Sequence, residues 1–178
     1  RTKKLHEFGL GLLCRWPATE VWKLKLDVQN FPPDPHRSEL EERGALLAHY
    51  ETPKGEFYLC SAHLGYSPGW KPSIVRAQQG RSLATQLSEI VPAGAPLIFG
   101  GDMNAEVTNP DLNPLLEFGS IATRDIPKTS KLGRGDDKNL TPEGAIDHVF
   151  LRNATAVDVQ VIAEAELSDH AAVIVDVE

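Results

Sequence analysis

The sequence predicts a layered α/β or α+β protein built on a sheet, folded as a single domain over residues 1–178. Three observations carry that prediction. Short runs with strand character recur along the chain, with one good helix signal after His63 and a shorter one after Asn104. The run Pro96-Leu97-Ile98-Phe99-Gly100-Gly101-Asp102-Met103-Asn104 reads as a strand buried on both faces that delivers polar groups at its carboxyl end. Composition is that of a globular protein, 41% hydrophobic and 24% charged, and 178 residues suffice for a real core.

Taken in order, Leu10 to Cys14 reads as a buried strand ended by Pro17. Val21 to Val28 alternates, with Trp22, Leu24, Leu26 and Val28 on one face and Lys23, Lys25 and Asp27 on the other, as a half-buried strand does. Phe31 to Arg37 carries three prolines and is a loop. Gly44 to Tyr50 and Glu56 to Ala62 flank Glu51-Thr52-Pro53-Lys54-Gly55, a hairpin pattern, and His63 ends the second strand. The loop Gly65 to Pro72 holds Tyr66 and Trp70, which stand where strand-end loops set specificity. Ser73 is a suitable N-cap for a helix whose apolar stripe is Ile74, Leu83, Leu87 and Ile90, closed by Gly94 and Pro96.

In the central run, Gly100 and Gly101 permit a sharp, close backbone path, and Asp102 and Asn104 point the same way beyond it. Asn109-Pro110-Asp111 introduces a short helix reaching Phe118. Ile126 to Pro142 is a long surface loop whose Lys128, Lys131, Arg134 and Lys138 mix with Asp136 and Asp137 as a solvated face. Ala145 to Leu151, Val157 to Ile162 and Ala171 to Val177 read as three further strands. No repeat and no interdomain linker interrupts the chain.

The net charge of −7 argues against a broad basic surface for non-specific nucleic-acid binding, although bound divalent cations can supply positive charge locally. No apolar run approaches the ~20 residues of a membrane helix. Arg1-Thr2-Lys3-Lys4 does not begin a signal peptide, and the compartment stays open. Cys14 and Cys60 are too few for a disulfide framework or a thiolate cage and read as small buried hydrophobes. Trp16 and Trp22 read as packing residues. Asn139-Leu140-Thr141 and Asn153-Ala154-Thr155 match the glycosylation pattern, a short one that recurs by chance.

His63, Asp102, Asn104, Asp147, Asp169 and His170 each stand at the carboxyl end of a strand or in the loop beside it. A single strand-end Asp is usually a turn former, and a single His usually a surface group. Six such groups point instead to a site. Carboxylates and an amide offer oxygen ligands suited to Mg²⁺ or Mn²⁺. A His beside a carboxylate can be held in one tautomer with its imidazolium stabilised, and a second His can donate to a phosphoryl oxygen. Together they would activate water and stabilise charge in phosphodiester hydrolysis.

His63-Leu64, Gly101-Asp102-Met103-Asn104, Ile146-Asp147-His148-Val149-Phe150 and Ser168-Asp169-His170 resemble the successive signatures of the endonuclease/exonuclease/phosphatase (DNase I-like) superfamily. Arg76 and Gln79 resemble its Arg-x-x-Gln, and Gly9 to Pro17 resembles its strand ending Ser-Arg-Tyr/Phe-Pro. The resemblance covers most of the chain, in order. It implies a four-layered αββα sandwich, usually Mg²⁺-dependent. It makes His170 the catalytic His oriented by Asp147, and Asp169 a metal ligand beside it. Asp102 would position or deprotonate the attacking water and hold metal, Asn104 would bind phosphate or help hold metal, and His63 would contact the scissile phosphate. The substrate would be a phosphate ester: nucleic acid, phospholipid headgroup or inositol phosphate.

One departure stands out. The superfamily's early Asn and its metal-binding Glu have no counterpart here, since neither Glu7 nor Glu20 lies in the expected context. The chain therefore resembles the C-terminal part of the family domain, incomplete at its N-terminal side, with sheet edges left unpaired. Met103 in place of the usual Phe is a swap that cores tolerate. The leading reading is a metal-dependent phosphoric ester hydrolase. The alternatives are a catalytically silent fragment or phosphate-ligand-binding module of the same fold, and a purely structural domain.

Overall fold

The computed structural model describes residues 9–26, 43–130, 144–162 and 168–178. The expectations for Glu7, Val28, the loop 31–37, Asn139 and the charged stretch from Lys131 to Lys138 lie outside those residues. The elements are β1 (Ala18–Lys25), β2 (Gly44–Thr52), β3 (Gly55–His63), α1 (Ile74–Ile90), β4 (Leu97–Asp102), α2 (Asn113–Phe118), β5 (Ser120–Ile121), β6 (Asp147–Arg152), β7 (Ala156–Ile162) and β8 (Ala172–Val177). Six strands form one sheet in the order β1-β2-β3-β4-β6-β5, and β7 and β8 form a second.

Neighbouring strands of the large sheet are antiparallel except β3 and β4. A parallel pair needs a crossover, and α1 supplies it. The Ser73 hydroxyl accepts the Arg76 N–H and so starts α1 where the sequence predicts. The buried face of α1 runs through Val75, Gln79, Leu83 and Leu87, while Ile74 is exposed. The expected stripe is therefore shifted by one residue at its start, because the first helical position faces away from the face that repeats every fourth residue.

Pairing register explains the core. Leu47, Cys60, Phe99 and Phe150 are successive cross-strand partners and share one face. Phe99 stacks on Phe150 at 5.1 Å and meets Phe118 of α2 at 5.5 Å. All four partners are nearly or fully buried, joined by Leu83, Leu87, Leu112 and Leu115 from the helical layer. The other face carries Val21, Ala48, Leu59, Ile98 and Leu151 in one register row, with Ala48 and Leu151 buried and Val21 56% exposed. The lone β3–β4 crossover puts the helices on the Phe99 face, and β8 lies against β6.

The structure corrects several expectations. Leu10 to Cys14 is not a strand: it has no partner among the described residues, and Leu13 is fully exposed. Apolar character alone cannot make a strand without a ladder to join. Cys14 is only half-buried, although Cys60 is in the core as expected. Trp16 is exposed rather than packed. Asn153 adopts a positive φ and donates its side-chain amide to Ala93 O and Ala95 O, so its role here is to close a turn. Among the described residues, no helix is long and apolar enough to cross a membrane.

Candidate active site

The register that aligns the core also aligns the polar groups. His63 at the end of β3 pairs with Asp102 at the end of β4, and Asp102 pairs with Asp147 at the start of β6. Side chains alternate across a strand, so all three stand on the face opposite the helices. The two glycines before Asp102 make this row possible. A Cβ on Gly100 would lie 2.1 Å from His148 O, and one on Gly101 would lie 2.2 Å from Ala62 O. Gly101 also has φ +133, a conformation that L side chains rarely adopt.

Beyond β4 the chain turns under Asn104, whose φ is 50. The Asn104 N–H donates to Asp102 Oδ1 at 2.8 Å, and its side-chain amide donates to Leu64 O at 2.9 Å. The same amide nitrogen lies 3.1 Å from His63 Nε2. Asn104 thereby ties the ends of β3 and β4 together. Met103 between them is fully buried.

His170 arrives from the other sheet, just before β8. The Ser168 hydroxyl accepts the His170 N–H at 3.1 Å, and His170 Nδ1 donates to Asp147 Oδ2 at 2.8 Å. That fixes Nε2 toward Asp102 Oδ2, 4.0 Å away, while His63 Nε2 lies 3.4 Å from the same oxygen. The bond to Asp147, opposed by burial but reinforced by the charges of Asp147, Asp102 and Asp169, raises His170 to about 9. It is a cation at neutral pH. His63 goes the other way, pushed down to about 4 by burial, Arg43 and His170. Burial, together with the charge of Asp147, raises Asp102 to about 6, against the Asn104 N–H and the nearby cations. Neighbouring groups are thus driven apart in protonation state, a pattern common at functional sites.

Of the predicted residues, His63, Asp102, Asn104, Asp147 and His170 converge. Asp169 is exposed and lies outside the group, acting on His170 through its field. Asp102, Asp147 and His170 each offer one atom within 4.8 Å of the others. Two carboxylates on adjacent strands fit a hard divalent cation by donor chemistry. Trp70, in the loop after His63, is 6% exposed. Its loop is held from below by α1. Arg76, fully buried, pairs with Asp111 Oδ2 at 2.7 Å and donates to Lys71 O, while Gln79 Oε1 accepts the Gly65 N–H. Gly69, Trp70, Pro72, Glu106, Thr108, Asn109 and Pro110 line a cavity of about 400 Å³ between the loops that follow His63 and Asn104.

Two contributors escape a sequence reading. Arg43 Nη1 lies 3.2 Å from both ring nitrogens of His63, yet it follows Glu41 and Glu42 and reads as part of a solvated charge run. Thr129 sits in a polar loop and gives no signal at all, although it is completely buried beside Asp147. His148, in contrast, is a core group: it is buried, with Nδ1 at 3.1 Å from Thr123 Oγ1 and Nε2 at 3.0 Å from Ala105 O.

Comparison with solved structures places this fold among known ones. The human Nocturnin catalytic domain with bound sulfate aligns at a TM-score of 0.68 and 19% identity, covering 92% of this chain and 60% of that one. TDP2 of D. rerio, complexed with single-strand DNA product, aligns at 0.67 and 17%, covering 90% and 68%. The mannosyl-6-phosphatase of Bacteroides thetaiotaomicron VPI-5482 aligns at 0.63 and 18%, covering 92% and 67%. At such identities the likeness is one of fold, a mixed α/β architecture of the DNase I-like type. This chain spans 45% of the length of one such relative, an endonuclease/exonuclease/phosphatase from Beutenbergia cavernae, and 66% of another from Bacteroides thetaiotaomicron. No curated protein sequence matches the chain. The family model for endonuclease/exonuclease/phosphatase proteins, however, matches residues 4–170, a span that holds every one of the ordered signatures, and the chain belongs to that family.

Proposed function

We propose that this chain hydrolyses a phosphate ester, with water attacking phosphorus and a divalent cation, Mg²⁺ or Mn²⁺, at the carboxylate pair. The observation that carries the reading is the convergence of His63, Asp102, Asn104, Asp147 and His170 on one end of two sheets, with their protonation states driven apart. Family membership supports it.

The geometry supports the following roles. Asp102, ionised above about pH 6, accepts a proton from the attacking water. His170, held as an imidazolium by Asp147, presents Nε2–H to a phosphoryl oxygen as charge builds there. His63, neutral, and the Asn104 amide flank the same oxygen-binding region. Asp102, Asn104, Asp147 and Asp169 are the residues available to hold the cation, and when bound it would neutralise charge on phosphate and polarise the water. Asp169 would have to turn inward to join them, since its side chain is exposed.

The substrate class stays broad: a nucleic acid, a phospholipid headgroup or an inositol phosphate. A net charge of −7 favours small or short substrates over long duplex DNA. The test is hydrolysis of a chromogenic aryl phosphodiester with Mg²⁺, with Mn²⁺ and with chelator. Asp102→Asn and His170→Ala are expected to lose about 10²–10⁴-fold in kcat. Wild-type rates in both variants would sink the role assignment. A folded wild-type chain that binds inorganic phosphate yet turns over no ester would favour the alternative, a phosphate-ligand-binding module of this fold.

A further inference from the structure

We infer that Thr129 is a positioning residue: a buried clasp that sets the Asp147–His170 pair by joining the two sheets that carry them. The inference rests on the reading of that pair as part of a hydrolytic site. Asp147 belongs to the six-stranded sheet and His170 to the lead-in of the two-stranded one, and among the described residues the two sheets share no ladder. A 2.8 Å bond between their side chains therefore needs something else to hold the sheets in register.

Thr129 supplies it with every polar atom the residue has. Its hydroxyl accepts the N–H of Ile146 and that of Asp147, each at 3.1 Å. Its own N–H donates to Gly144 O at 3.0 Å, as does that of Ser130. Its carbonyl accepts the Ala171 N–H at 2.6 Å, and Ser130 forms an isolated bridge with His170. One residue thus grips the backbone beside Asp147 with its side chain and the backbone beside His170 with its main chain. The hydroxyl also completes an edge. β5 covers only Leu151 and Phe150 of β6, and beyond it Thr123 Oγ1 accepts the Val149 N–H while Thr129 Oγ1 takes that of Asp147. Replacing the hydroxyl by a methyl leaves two N–H donors without that acceptor, at a residue that is 0% exposed.

The test compares Thr129→Val, nearly isosteric but unable to accept, with Thr129→Ser, which keeps the hydroxyl. In the wild type the Nδ1 proton of His170, held against Asp147, is expected as a downfield imidazole resonance in the proton spectrum, assigned by its absence in His170→Ala. Thr129→Val is expected to lose or broaden that resonance. It is also expected to lower kcat on the chromogenic phosphodiester about 10–100-fold with KM little changed, and Thr129→Ser to restore both. A Thr129→Val protein that keeps the resonance and the kcat, and is merely less stable, overturns the inference. If that variant does not fold, amide exchange in the wild type decides: Ile146, Asp147 and Ala171 must be protected together, and unprotected exchange at any of them overturns it. A wild type without hydrolysis would remove the catalytic reading, while the resonance and the exchange would still judge the clasp.

Discussion

Asp147→Asn isolates the charge that holds His170 as a cation. The substitution keeps the shape of the acceptor and removes its charge. In the wild type His170 is raised from 6.5 to about 9, first by its bond to Asp147. A raised folded-state value gives stability that is fully present below about pH 6.5 and lost as the pH climbs through about 9. At about 1.4 kcal/mol per pH unit, that span sets a ceiling of about 3 kcal/mol. The ring is 32% exposed, so solvent screening reduces the expected loss to about 1–2 kcal/mol. Asp102 complicates the acid side, because Asp147 helps to raise it to about 6, but above pH 7 it is largely ionised in both proteins. The assay is urea unfolding followed by tryptophan fluorescence at pH 7 and pH 9.5, with chelator present. Groups shared by the two proteins cancel in the difference. The wild type is expected to lose about 1–2 kcal/mol more than Asp147→Asn across that interval. Parallel losses would refute the argument that Asp147 controls the charge of His170.

Two further outcomes are expected. Asp111→Ala leaves the fully buried Arg76 without its 2.7 Å partner and removes the acceptor of the Ser73 N–H, so a loss of about 3–5 kcal/mol is expected in urea unfolding; a loss under about 1 kcal/mol would show that Lys71 O and Gly65 O suffice for Arg76. Mg²⁺ or Mn²⁺ at a hundred times its dissociation constant should add about 2.7 kcal/mol to wild-type stability and nothing to Asp102→Ala. An equal gain in both proteins would place the cation elsewhere.

Much of this was legible in the chain, and the reason is periodicity. The hairpin around Pro53-Lys54, the buried strand ending at Asp102, and the Ser73-capped helix all follow from local patterns that the structure preserves. The convergence of His63, Asp102 and Asn104 was readable because each follows directly on an apolar strand, and strand ends gather where a parallel pair shares its direction. What could not be read depends on partners distant in sequence. Leu10 to Cys14 has strand composition but no ladder among the described residues. Trp70 sits in a strand-end loop, but its burial and the bond from Asn109 to its carbonyl depend on tertiary packing. Arg43 and Thr129 lie in charged or polar surroundings, and only the tertiary approach of β3, β6 and β8 gives them a role.

The row His63–Asp102–Asp147 runs across strands rather than along one. Its spacing is therefore set by peptide hydrogen bonding, which keeps neighbouring strands about 4.8 Å apart whatever side chains they carry. Packing of Phe99 and Phe150 on the opposite face can drift in volume and shape without changing that ruler. Sequence divergence in such a core can run far while the distance between the two carboxylates stays constant, because the constraint lives in the main chain. The glycines at 100 and 101 are the exception, since there the main chain itself has no room for a side chain.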